Sequence, residues 1–295
     1  MEKCFPHYGK PHDSPPNEVL FAIATAPLAP HNDRMKSGRS PLKRPPLHNP
    51  AESLLEQRDN LVFDKVLFPF FATLILAMVT AFAWLDHFGI LELNPNALTV
   101  FTIIGLAATT IAILRALKQA RLINSGIAAE KAVGQFLEQF RAQGYSVIHD
   151  ITVKTKDKAF NIDHLLIGPK GIFTIETKSW RKPMKGQCIV AYDGQKVLIN
   201  GHAPDRDPIV QALGQAAWVR DYLASCTALS AIPVTPIVVY PGWFSNYQQS
   251  VKAKVKVVNE YFISACIQDS PHTLAPHDAK LIESRLADYI QRQTA

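Results

Sequence analysis

The residues of this chain best suited to chemistry are two acids and a lysine, Asp163, Glu176 and Lys178. Side chains two positions apart on a strand share a face, so Glu176 and Lys178 project together. Two carboxylates can hold Mg²⁺ or Mn²⁺, which keeps several waters and polarises phosphoryl oxygens. A lysine beside them can orient or deprotonate an attacking water. The set therefore predicts metal-assisted phosphodiester hydrolysis, with Asp163 and Glu176 as the metal ligands.

The elements that position these residues are strands rich in β-branched and aromatic side chains, separated by short polar breaks. Polar residues alternate with Ile162 around Asp163, but the pattern does not determine the register of the two strands that carry the acids. The order of elements predicts an α/β fold with a mixed sheet flanked by helices. The predicted strands are 145–153, 159–168, 171–178, a hairpin around Asp193-Gly194, and 234–241, and the predicted helices are 127–142, 208–224 and 275–292.

A fourth candidate, Glu130, lies in the predicted helix 127–142. Apolar residues there recur at the spacing of one helix face, and Glu130 lies on or beside that face. A carboxylate turned toward a core must be paired or coordinating. A first-turn glutamate favoured by the helix dipole is the alternative, and the sequence leaves both open.

Four blocks of the chain resemble a known family, the nuclease-related domain (NERD) of the PD-(D/E)xK nuclease-like superfamily. They are GIAAEKAVGQFL, NIDHLLIGPKGIFTIETKSW, DPIVQALGQAAWVRDYL and IPVTPIVVYPG, and they span roughly residues 125–240. The most specific features are an IDH strand, a Pro-x-Gly turn and an IETK strand. The resemblance implies a restriction-endonuclease-like fold, a role with nucleic acid, and a catalytic set of Glu130, Asp163, Glu176 and Lys178.

The resemblance also matches Gln211 to a Pro-x-x-Gln position that could contact substrate or water. Gln215 lies one helical turn further on, and an exposed helix glutamine is the alternative for both. Two departures are small: Ala129 replaces the usual Gly, and Asn161 stands where Gln is frequent. Neither removes a ligand.

A basic and aromatic patch follows the third strand, formed by Trp180, Arg181, Lys182 and Lys185. It could hold phosphate and stack a base, or it could be a solvated loop. His164 beside Asp163 is interpreted as a packed histidine rather than a ligand. Residues 251–257 alternate Lys and apolar residues, which predicts a strand with one basic face, for nucleic-acid contact or for protection of a sheet edge.

Two uncharged apolar runs precede these blocks, at residues 66–85 and 97–114. Each is long enough to cross a hydrocarbon core of about 30 Å as a helix. A buried core hairpin is the alternative, but no apolar partner of similar size remains in the chain. We therefore expect a transmembrane hairpin over residues 63–116, then a basic linker at 117–125, a nuclease-related domain at 126–242 and a C-terminal strand and helix at 243–295.

Basic residues flank the hairpin on its two outer sides, at Arg58 and Lys65 before it and at Arg115 and Lys118 after it, while its connecting loop has none. Such residues stay on the cytoplasmic side. We expect a multi-pass protein of a bacterial inner membrane with both termini cytoplasmic. The expected partners are the lipid bilayer and nucleic acid, DNA before RNA.

Residues 1–62 are rich in proline and polar residues, which predicts a disordered cytoplasmic tail. Met35 begins a Lys/Arg/Pro-rich stretch and is a second candidate start. The four cysteines include no CxxC pair, which argues against a structural zinc site and a disulfide scaffold. The net charge of +6 permits nucleic acid or an anionic membrane surface as a partner.

The leading interpretation is a membrane-anchored nuclease-like protein that hydrolyses DNA or RNA at the cytoplasmic face. The alternative is a catalytically inactive module that binds nucleic acid or a protein while tethered to the membrane. Divalent-dependent turnover separates the two. The two spans carry no intramembrane charges that would form a pathway, which argues against transport.

Overall fold

The computed structural model describes residues 48–86, 95–155, 159–183, 186–229, 232–245 and 252–294. All of them fall in one structural unit, Pro46–Ala295. The expectations for residues 1–47, for the loop 87–94 and for Lys185 lie outside the described residues.

The described chain begins with a helix that changes pitch once. Helix α1 (Glu52–Val62) passes through one π-helical turn (Phe63–Leu67) into α2 (Phe68–Asp86). Pro69 gives the reason, because it has no N–H to donate to the carbonyl four residues earlier and its ring would clash there. The wider turn before it accommodates the ring.

Helix α3 (Pro95–Glu138) is 44 residues long and continues into a 3₁₀ turn (Gln139–Gln143). The predicted linker at 117–125 is therefore wrong: the second apolar run and the predicted helix 127–142 form one helix. Alanine, leucine, lysine and arginine between them are strong helix formers, and no proline interrupts them. The helical run ends at Gly144, whose φ of 82° suits a left-handed C-terminal cap.

The predicted disorder of residues 1–62 is wrong for residues 52–62, which form α1. The sequence did not predict this helix, because the residue at its N-cap position is not of a type that commonly caps helices. Ala51 occupies the N-cap position with a φ of 62° and no side-chain hydrogen bond. The cap comes from Asp150, a residue distant in the sequence.

The α2 and α3 helices pack against each other and leave most of their apolar side chains uncovered. Both are long and apolar enough to span a membrane, a property of length and composition. Their contact carries polar pairs: the hydroxyls of Thr73 and Thr109 are hydrogen-bonded, as are those of Thr80 and Thr102. The two pairs are seven residues apart on each helix, so they lie on one face of each.

After α3 the chain forms the predicted strands and helices, which are β1 (Ser146–Lys154), β2 (Ala159–Gly168), β3 (Gly171–Thr177), β4 (Ile189–Tyr192), β5 (Val197–Ile199), α4 (Pro208–Cys226), β6 (Val234–Val239) and α6 (Pro276–Thr294). Three further elements were not predicted with these bounds: β7 (Phe244–Ser245), β8 (Lys256–Val258) and α5 (Ile263–Gln268).

Five strands of the described chain form the central sheet, in the order β1-β2-β3-β6-β8. Strands β1 to β3 are antiparallel neighbours, whereas β3, β6 and β8 run parallel.

Helices cover both faces of this sheet, as the predicted α/β class requires. On one face α3 and α5 pack through residues such as Leu137 and Ile263 against Phe173 and Ile237. On the other face α4 and α6 pack through residues such as Val219 and Leu286. The fold class is confirmed: a mixed sheet between helices, with two long apolar helices before it.

One strand prediction is only partly right. Residues 252–255 form turns and bends, so Lys252 and Lys254 lie outside β8, and the alternating basic face is reduced to Lys256. These three lysines and Arg220 instead line a cleft of about 710 Å³ beside the sheet edge.

Candidate active site at the edge of the central sheet

The register of the central strands brings three acids to one row of strand positions. His164 on β2 is paired with Ile175 on β3, so the next positions across are Asp163 and Glu176. On the other side, Asp150 and Asp163 fall between the pairs His149–His164 and Ile151–Ile162, where the ladder of β1 and β2 is interrupted. The sequence left this register open, and the structure resolves it in favour of the predicted convergence.

The row lies at a break in strand alternation. Ile148 and Ile151 on β1 both belong to the core under α4 and α6, although residues three apart on a regular strand point to opposite faces. Asp150 between them has a φ of 50°, in the left-handed region that aspartate adopts more readily than most residues. On β2 the same break separates Ile162 from Leu165, so both strands are irregular where the acids stand.

The carboxylate of Glu176 accepts three hydrogen bonds from side chains. Lys178 Nζ donates to its Oε1 at 2.6 Å, and Gln211 Nε2 donates to the same oxygen at 2.7 Å. Gln215 Nε2 donates to Oε2. Lys178 Nζ also donates to Gln211 Oε1 at 2.7 Å. Two predicted catalytic residues and the predicted substrate residue Gln211 therefore meet in one network.

Asp163 occupies a more enclosed position. It is 9% exposed, and its Oδ2 accepts a hydrogen bond of 2.7 Å from the backbone N–H of Thr177. Burial raises the pKa of this carboxyl well above its usual range, and the charges of Glu176 and Glu130 raise it further. The Thr177 N–H and Lys178 act in the opposite direction.

Glu130, on α3, interacts electrostatically with Glu176 and Lys178. Burial raises its pKa to about 8, and the negative charges of Asp150 and Glu176 contribute in the same direction. Glu130 is 9% exposed and lies far from the first turn of α3 (Pro95–Glu138), so the alternative of a first-turn glutamate is wrong. Its catalytic role stays a prediction.

Two residues of this site were missed or undervalued in the sequence. Gln215, which could have been an exposed helix glutamine, is 1% exposed and bonded to Glu176. Its spacing of one helical turn from Gln211 was the signal. Asp150 carried no signal, because only the register reveals that it stands opposite Asp163.

The predicted substrate patch lies at the same edge of the sheet but outside the acidic network. Trp180, Arg181 and Lys182 are exposed in the segment that leaves β3. Lys182 Nζ occupies the space that a Cβ at Gly242, after β6, would need. Because β3, β6 and β8 are parallel, the segments that follow them emerge at one edge, and these carry exposed Phe244 (65%) and Tyr261 (73%).

His164 is fully buried and packs against a second histidine. The Nδ1 atoms of His164 and His149 lie 2.9 Å apart, and His149 Nε2 lies 3.0 Å from Glu138 Oε1. Burial lowers the pKa of both imidazoles, that of His164 to about 3. The pair is therefore neutral at physiological pH, which fits a packing role.

The acids of this site offer carboxylate oxygens, which are the protein ligands that Mg²⁺ prefers. Within the described residues, no group of three or more His, Cys, Asp or Glu side chains is placed to hold a metal ion. Mg²⁺ needs fewer protein ligands, since it keeps several waters and binds through one or two carboxylates. Asp163 and Glu176 are both buried, and the charge of Glu176 raises the pKa of Asp163, so two carboxylates stand where a cation would find one or two ligands.

Comparison with known proteins bears on this site directly. Residues 125–241 match the family described as "NERD: Nuclease-related domain". The match covers Glu130, Asp163, Glu176, Lys178 and the two glutamines. This stretch of the chain is therefore similar to a nuclease-related domain, and the acids at the sheet edge described above lie within it.

Two further similarities are more limited. An uncharacterized protein of Bacillus anthracis is 38% identical over 56 residues, which cover 19% of this chain and 26% of that protein. The chain therefore spans about a quarter of the length of that relative. The crystal structure of protein VC1899 from Vibrio cholerae is similar at 12% identity and a TM-score of 0.24, over 83% of this chain and 58% of that one.

Proposed function

We propose that this chain is a membrane-anchored nuclease that uses Mg²⁺ or Mn²⁺ to hydrolyse phosphodiester bonds of DNA or RNA at the cytoplasmic face. The observation that carries the proposal is the convergence of Asp163, Glu176 and Lys178 within the nuclease-related domain. A lysine and two buried acids on adjacent strands are costly to the fold, and such groups concentrate at functional sites.

The roles follow from the contacts of each side chain. Asp163 and Glu176 would hold the cation, which when bound supplies an activated water and neutralises charge on the phosphoryl group. The Lys178 ammonium has three donors. It gives one to Glu176 and one to Gln211, which leaves a third for a phosphate oxygen or water.

Glu130 and the glutamines support these groups. With a pKa of about 8, Glu130 holds a proton at neutral pH and adds a donor instead of another negative charge. Gln211 bridges Lys178 and Glu176, which fixes the distance between the ammonium and the carboxylate. Gln215 holds the second carboxylate oxygen of Glu176 in place.

Nucleic acid is the substrate class that the rim of the site favours. Arg181 and Lys182 offer positive charge for phosphates, and Trp180, Phe244 and Tyr261 offer exposed rings on which bases can stack. These groups lie at the edge of the sheet where the acids stand. A strand bound there would present its backbone to the acidic cluster.

Membrane anchoring rests on the pattern of the α2 and α3 helices. Their large apolar side chains point outward, from Phe68 (72% exposed) to Phe82, while threonines pair between them. A soluble protein would cover such a surface, whereas lipid tails are its natural neighbours. The basic flanks then assign both termini to the cytoplasm.

The decisive experiment measures cleavage by the full chain in detergent micelles, with and without divalent cations. We expect cleavage with Mg²⁺ or Mn²⁺ and none in chelator, and we expect Asp163→Ala combined with Lys178→Ala to abolish it. Asp221→Asn, an exposed acid on α4, is the matched control and should retain full activity. Cleavage that persists in the double variant would contradict the assignment.

A catalytically inactive binding module is the second candidate, and one observation favours it. Both oxygens of Glu176 already accept hydrogen bonds from Lys178, Gln211 and Gln215, so a cation must compete with these donors. Salt-sensitive binding of nucleic acid without turnover in any divalent metal would favour this candidate.

A further inference from the structure

The N-terminal cap of α1 connects to the catalytic network through a continuous series of hydrogen bonds. The segment involved is residues 48–53, called the strap here, which lies outside the region that matches the nuclease-related domain. The strap includes the first two residues of α1, and α1 is continuous with α2 through the π-helical turn. The strap therefore belongs to the anchor in sequence but contacts the sheet.

The first contact joins the strap to β1. The backbone N–H and the hydroxyl of Ser53 both donate to the carboxylate of Asp150, the hydroxyl at 2.7 Å. His48 Nδ1 lies 2.8 Å from the Asp150 carbonyl oxygen. Ala51 has no side-chain group that can cap the helix. The Asp150 carboxylate takes this role, because it accepts the hydrogen bond of the Ser53 N–H in the first turn. Asp150 is 2% exposed, so this contact is buried.

The second contact joins this cap to the catalytic acid. Asn161 Nδ2 donates to Ser53 Oγ at 2.6 Å and to Asp150 Oδ1 at 3.0 Å. The backbone carbonyl of Asn161 accepts a bond of 2.8 Å from Gln215 Nε2, and the same nitrogen donates to Glu176. Asn161 thus holds the strap with its side chain and the catalytic network with its backbone.

We infer that the strap is a positioning element of the active site, acting through Asp150, Asn161 and Gln215 on Glu176. Gln215 can orient Glu176 only if its own amide is held, and Asn161 holds it. Asn161 in turn lies two residues before Asp163, so a shift of this part of β2 would displace both metal-binding carboxylates. The inference rests on the proposed function for its effect on catalysis, but not for the series of bonds.

The test compares Ser53→Ala with Ser53→Thr in the full chain in detergent micelles. Alanine removes the hydroxyl bonds to Asp150 and Asn161, whereas threonine retains a hydroxyl. We expect Ser53→Ala to weaken Mn²⁺ binding, measured by electron paramagnetic resonance, and to lower kcat, each about 10-fold, as for other residues that orient metal ligands. We expect KM for the nucleic acid to change little and Ser53→Thr to restore both values.

The matched control is Ser284→Ala, at an exposed position of α6, which should leave Mn²⁺ affinity and kcat unchanged. Equal Mn²⁺ affinity and kcat in Ser53→Ala and the unaltered chain would overturn the inference and leave the proposed function intact. A loss that threonine does not restore would also overturn it, because the hydroxyl would not be the group responsible.

If the unaltered chain neither binds Mn²⁺ nor cleaves, the proposed function fails and hydrogen exchange decides the inference alone. Faster exchange in Ser53→Ala at residues 171–177 and 208–226, but not in the α2 helix, would support the series of bonds from the strap to Glu176. Unchanged exchange in both ranges would contradict it.

Discussion

The hairpin of α2 and α3 and the sheet domain place polar and apolar groups in opposite ways. In the hairpin, phenylalanines and isoleucines point outward, and threonine hydroxyls pair between the helices. In the sheet domain, isoleucines and valines fill both faces, and the acids gather at one edge. The comparison teaches that the two regions solve the placement of polar groups differently: in the hairpin they pair between helices under an apolar surface, and in the sheet domain they gather above an apolar core, as the proposed anchor and the proposed active site would require.

The largest expected effect tests the chemical side of that contrast. Asp163→Asn should lower divalent-dependent cleavage by at least about 100-fold, because the removed charge is one of two proposed for the cation. In chelator its thermal unfolding temperature should stay equal or rise, since burial and neighbouring acids disfavour this charge. A variant that loses activity and folded structure together would show a packing role instead.

The next effect tests the surroundings of the hairpin. Ile104→Lys on α3 replaces an outward apolar side chain that is 59% exposed. It should make the free energy of membrane insertion less favourable by about 3 kcal/mol. The measurement is the fraction of protein that resists alkaline extraction from membranes. Leu198→Lys, on an exposed position of β5, should leave that fraction unchanged. Equal fractions for both variants would remove the proposed difference between the regions.

A smaller effect concerns the buried histidine pair of the sheet domain, which makes the free energy of unfolding depend on pH. The pKa of His164 is about 3 in the folded chain against 6.5 when unfolded, so the unfolded chain binds the extra proton between these values. The contribution of His164 to stability is therefore fully present above pH 6.5 and declines as pH falls toward 3, by roughly 2 kcal/mol from pH 7 to pH 5. Glu130, whose pKa is raised to about 8, contributes with the opposite sign in every variant that keeps it. The measurement is therefore a difference: in chemical unfolding in chelator, the stability of the unaltered chain relative to His164→Asn should fall by this amount from pH 7 to pH 5.

The smallest effect concerns the threonine pairs themselves. A double-mutant cycle of Thr80→Val and Thr102→Val should give a coupling of about 0.6 kcal/mol, typical of hydrogen bonds between membrane helices. Reversible unfolding in mixed micelles measures it. Thr110→Val is the control, because the Thr110 hydroxyl bonds to the Leu106 carbonyl of its own helix. A cycle of Thr110 with Thr102 should show no coupling.

The strands were predictable because their signals are local. Alternating β-branched residues, the Pro169–Gly171 turn and the Asp193-Gly194 turn delimit β2 to β5, and Asp207 caps α4 through Ile209 N–H as its position predicts. The α1 helix was not predictable for the converse reason. Its cap is Asp150, which lies 97 residues from Ser53 in the chain.

The sequence by itself determined the composition of the site: an aspartate, a Glu-x-Lys pair, a helical glutamate and a glutamine, with two apolar runs before them. Residue type and spacing are local properties, and they suffice to show which groups are able to bind a cation. Only the tertiary structure decided that β2 and β3 pair so that Asp163 meets Glu176, and that Asp150 and the strap stand beside them. Register and docking depend on the whole core, because a slip of one residue would turn every acid to the other face.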